Sequence, residues 1–122
     1  MMTLLLSMAV LASEPVSEAP PPPKSAVVVS VYDGDTVTLD TGDKVRLRWV
    51  NTPELKPLEE FGAEARDFAN GFVQGRTVNL IFEGENPRDG YGRVIAGIRH
   101  DDGDLSMELL KRGLAHVFVI PP

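Results

Sequence analysis

The sequence comprises 122 residues with a formal net charge of −6 at pH 7 and no cysteine. This length is enough for one domain with its own core, while the absence of cysteine excludes disulfides, thiolate nucleophiles and cysteine metal sites. The acidic charge argues against binding of nucleic acid through an extended basic patch, because a negative surface repels phosphates at long range. A polyanionic substrate would need a local positive cluster or a bound cation.

The N-terminal part of the chain divides into an apolar segment and a proline-rich segment. Residues 3–12 (TLLLSMAVLA) are apolar but too few to cross a bilayer as a helix, so we expect no stable membrane insertion. The closing letters VLA are typical of a signal-peptide cleavage site, although no lysine or arginine precedes the apolar run. We predict a signal peptide over 1–12 and hence a secreted or periplasmic protein, with a short apolar tail as the alternative. Residues 13–25 are predicted to be an extended, unpacked linker.

A β-strand pattern begins after this linker. Predicted strands, with β-branched or alternating apolar residues, cover 26–32, 36–40 and 44–50. The letters TGD between the second and third strands predict a hairpin turn. In the third strand, Val45, Leu47 and Trp49 share one face, which we assign to the core. Arg46 and Arg48 lie on the opposite face.

Two helices and three further strands follow. Helical spacing of Phe61, Ala65, Phe68 and Phe72 predicts a helix over 58–74, with Pro57 in its first turn and Gly75 just past its end. A second helix is predicted over 106–112, with Ser106 as its N-cap and Gly113 after its end. The remaining predicted strands cover 76–83, 93–99 and 115–120, and a loop, GENPRDGYG, joins the first two of them.

This order of elements indicates a mainly β, α+β domain over 26–122. Several short strands interrupted by a helix are typical of the OB-fold, a five-stranded Greek-key β-barrel, here with two to three short helices.

Polar side chains gather where the predicted strands end. Asp35 and Glu54 flank the second and third strands, so the hairpin can bring their carboxylates together. Asp35, Asn51 and the Thr52 carbonyl supply the oxygen types that Ca²⁺ takes as ligands. Two arginines, Arg46 and Arg93, could clamp a phosphoryl group by paired hydrogen bonds. Taken singly, each of these residues is more often found in a solvated turn or on an ordinary surface.

Five stretches in this order, VYDGDTVTL, VRLRWVNTPE, EFGAEARDF, DGYGR and LLKRGLAHV, resemble the staphylococcal nuclease family over about residues 26–120. The resemblance implies an OB-fold and Ca²⁺-dependent cleavage of DNA and RNA. It implies that Asp35 and the Thr52 carbonyl bind Ca²⁺ and that Glu54 is the general base or orients water. It also implies that Arg46 and Arg93 bind the scissile phosphate and that Tyr91 lies beside the bound nucleotide. Asn51 stands where the family's prototype has a second metal-binding aspartate. His100 and His116 match no catalytic position and are predicted to be surface residues.

The resulting hypothesis is a monomeric, calcium-dependent nuclease that hydrolyses single-stranded or frayed DNA and RNA. Two alternatives stay open. One is a weakly active or inactive OB-fold module that binds nucleic acid, and the other is a calcium-stabilised envelope or interaction domain. The set Asp35, Arg46, Glu54 and Arg93 favours the enzyme, because binding alone requires no general base.

Overall fold

A computed structural model describes residues 20–55 and 59–118 of the chain. Its elements, in chain order, are β1 (Ser25–Asp33), β2 (Thr36–Leu39), β3 (Lys44–Leu47), β4 (Val50–Asn51), α1 (Gly62–Val73), β5 (Thr77–Ile81), β6 (Val94–His100), β7 (Gly103–Asp104), α2 (Leu105–Lys111) and β8 (His116–Val117). Most predicted elements exist with ends displaced by a few residues, while β4 and β7 were not predicted as separate strands.

The strands form a closed barrel. They are hydrogen-bonded in the order β3-β2-β1-β5-β6, and a parallel pairing of β3 with β6 closes the ring. One half of β1 pairs with β5 and the other half with β2, and bulges in the second half bend the strand from one side of the barrel to the other. β7 extends the sheet beyond β6, and β4 pairs separately with β8. This five-stranded barrel with two helices confirms the predicted OB-fold.

Apolar side chains that alternate along the strands fill the barrel interior, since successive residues of a strand point to opposite faces. The two helices close the core with small and aliphatic residues. The buried cluster consists of Ala26, Val28, Val37, Leu39, Val45, Leu47, Val50, Ala69, Val73, Val78, Leu80, Val94, Ala96, Ile98, Leu105 and Leu109.

The first helix is shorter than predicted, and its buried face differs. α1 begins at Gly62, and the N-cap residue Phe61 has left-handed φ 66° and an exposed side chain. The fully buried positions are small residues such as Ala65, whereas Phe68 and Phe72 are only partly buried against the core. The aromatic stripe therefore packs at the edge of the core. The predicted first-turn position of Pro57 lies outside the described residues.

The third predicted strand is wrong at its end. β3 ends at Leu47, and Trp49 adopts left-handed φ 68° with 44% of its surface exposed, so it does not belong to the core. The main-chain oxygen of Trp49 accepts a hydrogen bond of 2.7 Å from the Phe118 N–H. The Arg48 guanidinium lies over the Trp49 ring, 4.3 Å from its centroid. The resulting bend directs β4 and the residues after it away from the barrel wall.

The second helix is capped differently from the prediction. The N-cap of α2 is Asp104, whose carboxylate accepts a hydrogen bond of 3.0 Å from the Met107 N–H. Ser106 is instead buried, and its hydroxyl donates to the Arg48 carbonyl at 3.2 Å. The serine therefore ties the helix to the bend in the barrel wall.

The two histidines have different surroundings. His116 is exposed, as predicted. His100 is 8% exposed, so its prediction as a surface residue is wrong. Its Nδ1 accepts a hydrogen bond from the Asp102 N–H at 3.0 Å, and its Nε2 lies 2.7 Å from the Phe72 carbonyl. His100 therefore joins the end of the sheet to the end of α1.

The last residues of the predicted linker are packed against the barrel. Pro22 is buried, and the Pro20 carbonyl accepts a hydrogen bond of 2.7 Å from Arg88. The prediction of an unpacked linker is therefore wrong for these residues, while the signal peptide and the rest of the linker lie outside the described residues. No helix in the described part of the chain is long and apolar enough to cross a membrane.

Candidate active site

A cavity of about 760 Å³ opens on the outer side of the barrel, beside β1, β2 and β3. Its wall brings together five of the seven residues predicted for the site, which are Asp35, Arg46, Asn51, Glu54 and Arg93. Thr52 and Tyr91 do not line this cavity. The cavity therefore lies where β1, β2 and β3 meet the corner after β4 and the loop before β6.

Two carboxylates stand close together at the floor of the cavity. Asp33 and Asp35 are 6% and 5% exposed, and Oδ1 of Asp33 accepts a hydrogen bond of 3.1 Å from the Asp35 N–H. Burial, together with the neighbouring Asp35, raises the pKa of Asp33 to about 7. A Cβ atom on Gly34 would lie 2.7 Å from the Thr52 side chain, so only glycine lets this turn approach Thr52 so closely.

Arg46 spans the bend between β3 and β4. Its Nη1 donates to the carbonyls of Leu47 and Val50, and its Nη2 donates to Oδ1 of Asn51 at 3.1 Å. The same Nη2 lies 3.5 Å from Oδ2 of Asp35. Arg46 faces away from the core, as predicted, but it is 8% exposed and therefore buried in the cavity wall. The left-handed bend at Trp49 presents the carbonyls that hold this guanidinium.

The corner after β4 attaches to the floor of the cavity through Thr52. The Thr52 N–H donates to Oδ2 of Asp35 at 3.0 Å. Oγ1 of Thr52 is buried without a hydrogen-bond partner among the described residues. Glu54 is exposed at the rim, and its main-chain N–H and carbonyl are both hydrogen-bonded to Glu59, at 2.7 and 2.8 Å. Its carboxylate therefore faces the cavity from a corner that Asp35 and Glu59 fix.

Arg93 is held by the turn that precedes it. Oδ2 of Asp89 accepts a hydrogen bond of 2.7 Å from the Arg93 Nε, and Oδ1 of Asp89 accepts from the main-chain N–H groups of Tyr91 and Arg93. Partial burial raises the pKa of Asp89, but these hydrogen bonds outweigh it and keep that pKa below its ordinary value. Tyr91 is 88% exposed and lines two smaller side cavities, beside Lys44 and Arg93.

The donors in this cavity are of the types that bind a hard cation such as Ca²⁺. Carboxylate oxygens of Asp33 and Asp35 and the amide oxygen of Asn51 are available types. A cation stabilises two close carboxylates in their charged form. The Thr52 hydroxyl, beside Asp35, has no hydrogen-bond partner among the described residues and is a further oxygen of this kind. The described residues contain no group of three or more histidine, cysteine, aspartate or glutamate side chains that could hold a metal. A cation would therefore rely partly on neutral oxygens.

The residues of the cavity wall that the sequence analysis missed include Asp33, Lys44 and Phe118. Asp33 is the first carboxylate of the DGD sequence, and only the second was assigned a role. Lys44 lies two residues before Arg46, hence on the same face of β3, which is a signal the sequence did contain. Phe118 follows β8, and the Arg46 guanidinium lies 5.9 Å from its ring centroid. No sequence pattern indicated this approach of the last strand.

The chain is similar to known proteins over most of its length. Residues 44–122 match the family described as staphylococcal nuclease homologues. The chain is 34% identical over 106 residues to the thermonuclease of Staphylococcus intermedius, covering 81% of the chain and 62% of that protein. It is 31% identical over 93 residues to an uncharacterized endonuclease of Escherichia coli, covering 75% of the chain and 59% of the relative. For the endonuclease YncB of Bacillus subtilis, the identity is 34% over 92 residues, covering 70% and 44%. The chain thus spans between 44% and 62% of the length of these relatives.

Proposed function

Since the chain belongs to the staphylococcal nuclease homologue family, we propose that it is a calcium-dependent nuclease that hydrolyses phosphodiester bonds of DNA and RNA. The observation that carries the proposal is the convergence of Asp35, Arg46, Glu54 and Arg93 on one cavity. The names of the relatives, thermonuclease and endonuclease, support the same class of reaction.

The residues that would hold Ca²⁺ are Asp35, Asn51 and the Thr52 carbonyl, with Asp33 beside them. When bound, the cation would supply positive charge next to the phosphoryl oxygens. The Thr52 N–H already bonds Asp35, so this part of the site is held together by the protein itself.

In this proposal, Glu54 acts on the attacking water. Its carboxylate accepts a proton from the water, or orients it, while the water oxygen forms a new bond to phosphorus. The phosphorus–oxygen ester bond opposite then breaks, and the leaving oxygen takes up a proton from solvent. Glu54 suits this role because it lies at the cavity rim, where water and the nucleic acid both have access.

Arg46 and Arg93 bind the phosphate that is cleaved. Both guanidiniums line the cavity, and each is anchored by other bonds: Arg46 by the carbonyls of the bend, and Arg93 by Asp89. Anchored donors cost little reorganisation when negative charge develops in the transition state. They therefore assist the reaction more than they assist binding of the substrate.

The substrate in this proposal is single-stranded or frayed nucleic acid, because the cavity is open and polar, and the protein acts as a monomer. The proposal includes export, since the predicted signal peptide implies a secreted or periplasmic protein.

Cleavage of a labelled single-stranded DNA oligonucleotide, with added Ca²⁺ and with excess chelator, tests the function. We expect cleavage with Ca²⁺ and none in chelator. Undiminished cleavage in chelator would contradict the calcium dependence. Binding of the oligonucleotide without cleavage under either condition would instead support the inactive binding module.

A further inference from the structure

A row of three polar side chains crosses the outer face of the barrel next to the proposed catalytic residues. Ser30 on β1 is the partner of Thr38 on β2, and Thr38 is the partner of Lys44 on β3. All three line the same cavity as Arg46 and Arg93. The adjacent row contains Thr36 and Arg46, which are also strand partners. The polar row is therefore one step along the strands from the proposed scissile phosphate.

The polar groups of this row lack protein partners within the described part of the chain. No carboxylate there lies within ion-pair distance of the Lys44 ammonium, and the hydroxyls of Ser30 and Thr38 make no hydrogen bond to another residue. The neighbouring Asp43 is instead paired with Arg88, at 3.0 Å. In a protein of net charge −6, an uncompensated lysine beside two open hydroxyls is a local site for an anion.

The spacing of the row suits a nucleic acid backbone. Lys44 and Arg46 are two residues apart on one strand, hence roughly 6.7 Å apart along its face. This separation is close to that of neighbouring phosphates in an extended single strand. Lys44 also lines two smaller cavities, each shared with Tyr91 and Arg93, so the positive face continues from the cleft to the exposed tyrosine.

From these observations we propose that Ser30, Thr38 and Lys44 bind the phosphate adjacent to the scissile one. This inference rests on the proposed nuclease function and names the substrate more closely, as a strand with at least two successive phosphates. The hydroxyls donate hydrogen bonds to the phosphate oxygens, and the ammonium supplies the charge. Because this phosphate does not react, the row contributes to binding and not to the chemical step.

The test compares Lys44→Met with Lys24→Met, an exposed lysine that loses the same charge outside the cavity. Each variant is assayed with a dinucleoside monophosphate, which has one phosphate, and with a ten-nucleotide single strand. We expect Lys44→Met to raise KM for the longer substrate roughly tenfold, the effect of one charge-assisted hydrogen bond, with kcat unchanged. Neither parameter changes for the dinucleoside monophosphate, and Lys44→Arg restores the longer substrate's KM. The slope of log affinity against log salt should fall by about 0.7, as for one phosphate contact to a single strand.

Equal KM and equal salt slope in the two methionine variants would overturn the inference while leaving the nuclease proposal intact. If the wild-type protein cleaves neither substrate, the affinity for the ten-nucleotide strand is measured in chelator. This measurement tests the phosphate site independently of the proposed nuclease function. Binding weakened by Lys44→Met alone would then support the phosphate site although the nuclease function fails. Binding weakened equally by both variants would overturn the site as well.

Discussion

Asp33 is the residue whose charge depends most on its surroundings. Its carboxylate accepts a hydrogen bond from the Asp35 N–H, and the Asp35 carboxylate lies 3.5 Å from the Arg46 guanidinium. Both aspartates are buried, so little water reaches them. Burial and the neighbouring Asp35 raise the pKa of Asp33 from 3.8 to about 7. Between these two pH values the folded protein keeps a proton on Asp33 that the unfolded chain releases. A cation at this site would favour the charged form instead.

The raised pKa of Asp33 predicts a pH dependence of stability in chelator. Its contribution to the free energy of unfolding is present below pH 4 and is lost as the pH rises towards 7. Asp33→Asn removes this titration, so the variant should lose less stability over that interval, by on the order of 3 kcal/mol. Urea unfolding of both proteins at pH 4, 5.5 and 7 measures the difference. Identical pH dependences would show that Asp33 does not carry this proton.

Asn51 is predicted, from the resemblance to the family's prototype, to stand in place of a metal-binding aspartate. Its Oδ1 accepts a hydrogen bond from Arg46, on the same guanidinium nitrogen that approaches Asp35. In Asn51→Asp, the new carboxylate adds a charged oxygen ligand, and Ca²⁺ affinity follows ligand charge.

We expect Asn51→Asp to bind Ca²⁺ roughly tenfold more tightly, since one added charge is worth over 1 kcal/mol at a partly buried site. Arg46 offsets the repulsion between the new carboxylate and Asp35, so the melting temperature in chelator should change little. Calorimetric titration of Ca²⁺ into both proteins measures the affinity. Unchanged or weaker binding in the aspartate variant would mean that Asn51 does not face the cation.

The bend between β3 and β4 is the element that positions the site. It places Arg46 against two carbonyls and turns the corner that carries Asn51 and Glu54 towards the cavity. The bend requires Trp49 at φ 68°, a conformation that costs a non-glycine residue about 1 kcal/mol.

The backbone of the bend predicts an unusual order of stabilities. Trp49→Gly should be more stable than Trp49→Ala by about 1 kcal/mol, because glycine adopts positive φ without strain. Both variants lose the contact of the indole ring with Arg48, so the difference between them isolates the backbone. Denaturant unfolding of the two variants provides the measurement. An alanine variant as stable as the glycine variant would show that the left-handed bend is absent in solution.

This bend also shows where sequence reasoning succeeds and where it stops. The alternation of Val45 and Leu47 identified β3 and its core face, and the same alternation placed Arg46 outside the core. Nothing in the pattern signals that Trp49 leaves the strand, because the alternation continues through it. Two of the hydrogen bonds that hold the bend come from Phe118 and Ser106, which are distant in sequence.

In the rest of the structure, too, features set by local sequence were predicted, and features set by tertiary contacts were not. The hairpin turn and the barrel follow from strand patterns and turn residues, which act over a few positions. The burial of His100 depends on the end of α1, and Lys44 lies beside Arg93 only because the loop before β6 reaches the edge of β3. Five of the seven predicted site residues share one cavity, while their roles stay predictions.

For the whole molecule, the arrangement of charge reconciles an acidic protein with the polyanionic substrate that we propose for it. The cavity gathers Lys44, Arg46 and Arg93 beside Asp33, Asp35 and Glu54. In the proposed function, the arginines and the lysine contact phosphates. The aspartates hold a cation, which offsets the repulsion between the acidic protein and its substrate. A module that only binds nucleic acid would need the lysine and the arginines alone. Glu54 is the residue that distinguishes an enzyme from such a module.

The most direct test of the enzyme is the turnover of Glu54→Gln on single-stranded DNA with saturating Ca²⁺. Glu64→Gln, an exposed glutamate on α1 outside the cavity, is the matched control. We predict that kcat falls by on the order of a hundredfold or more in Glu54→Gln, the usual scale for a positioned acid–base group, and stays unchanged in the control. Binding of the oligonucleotide in chelator and the melting temperature should be preserved, because the side chain is exposed. A Glu54→Gln variant that cleaves at the wild-type rate would contradict the account.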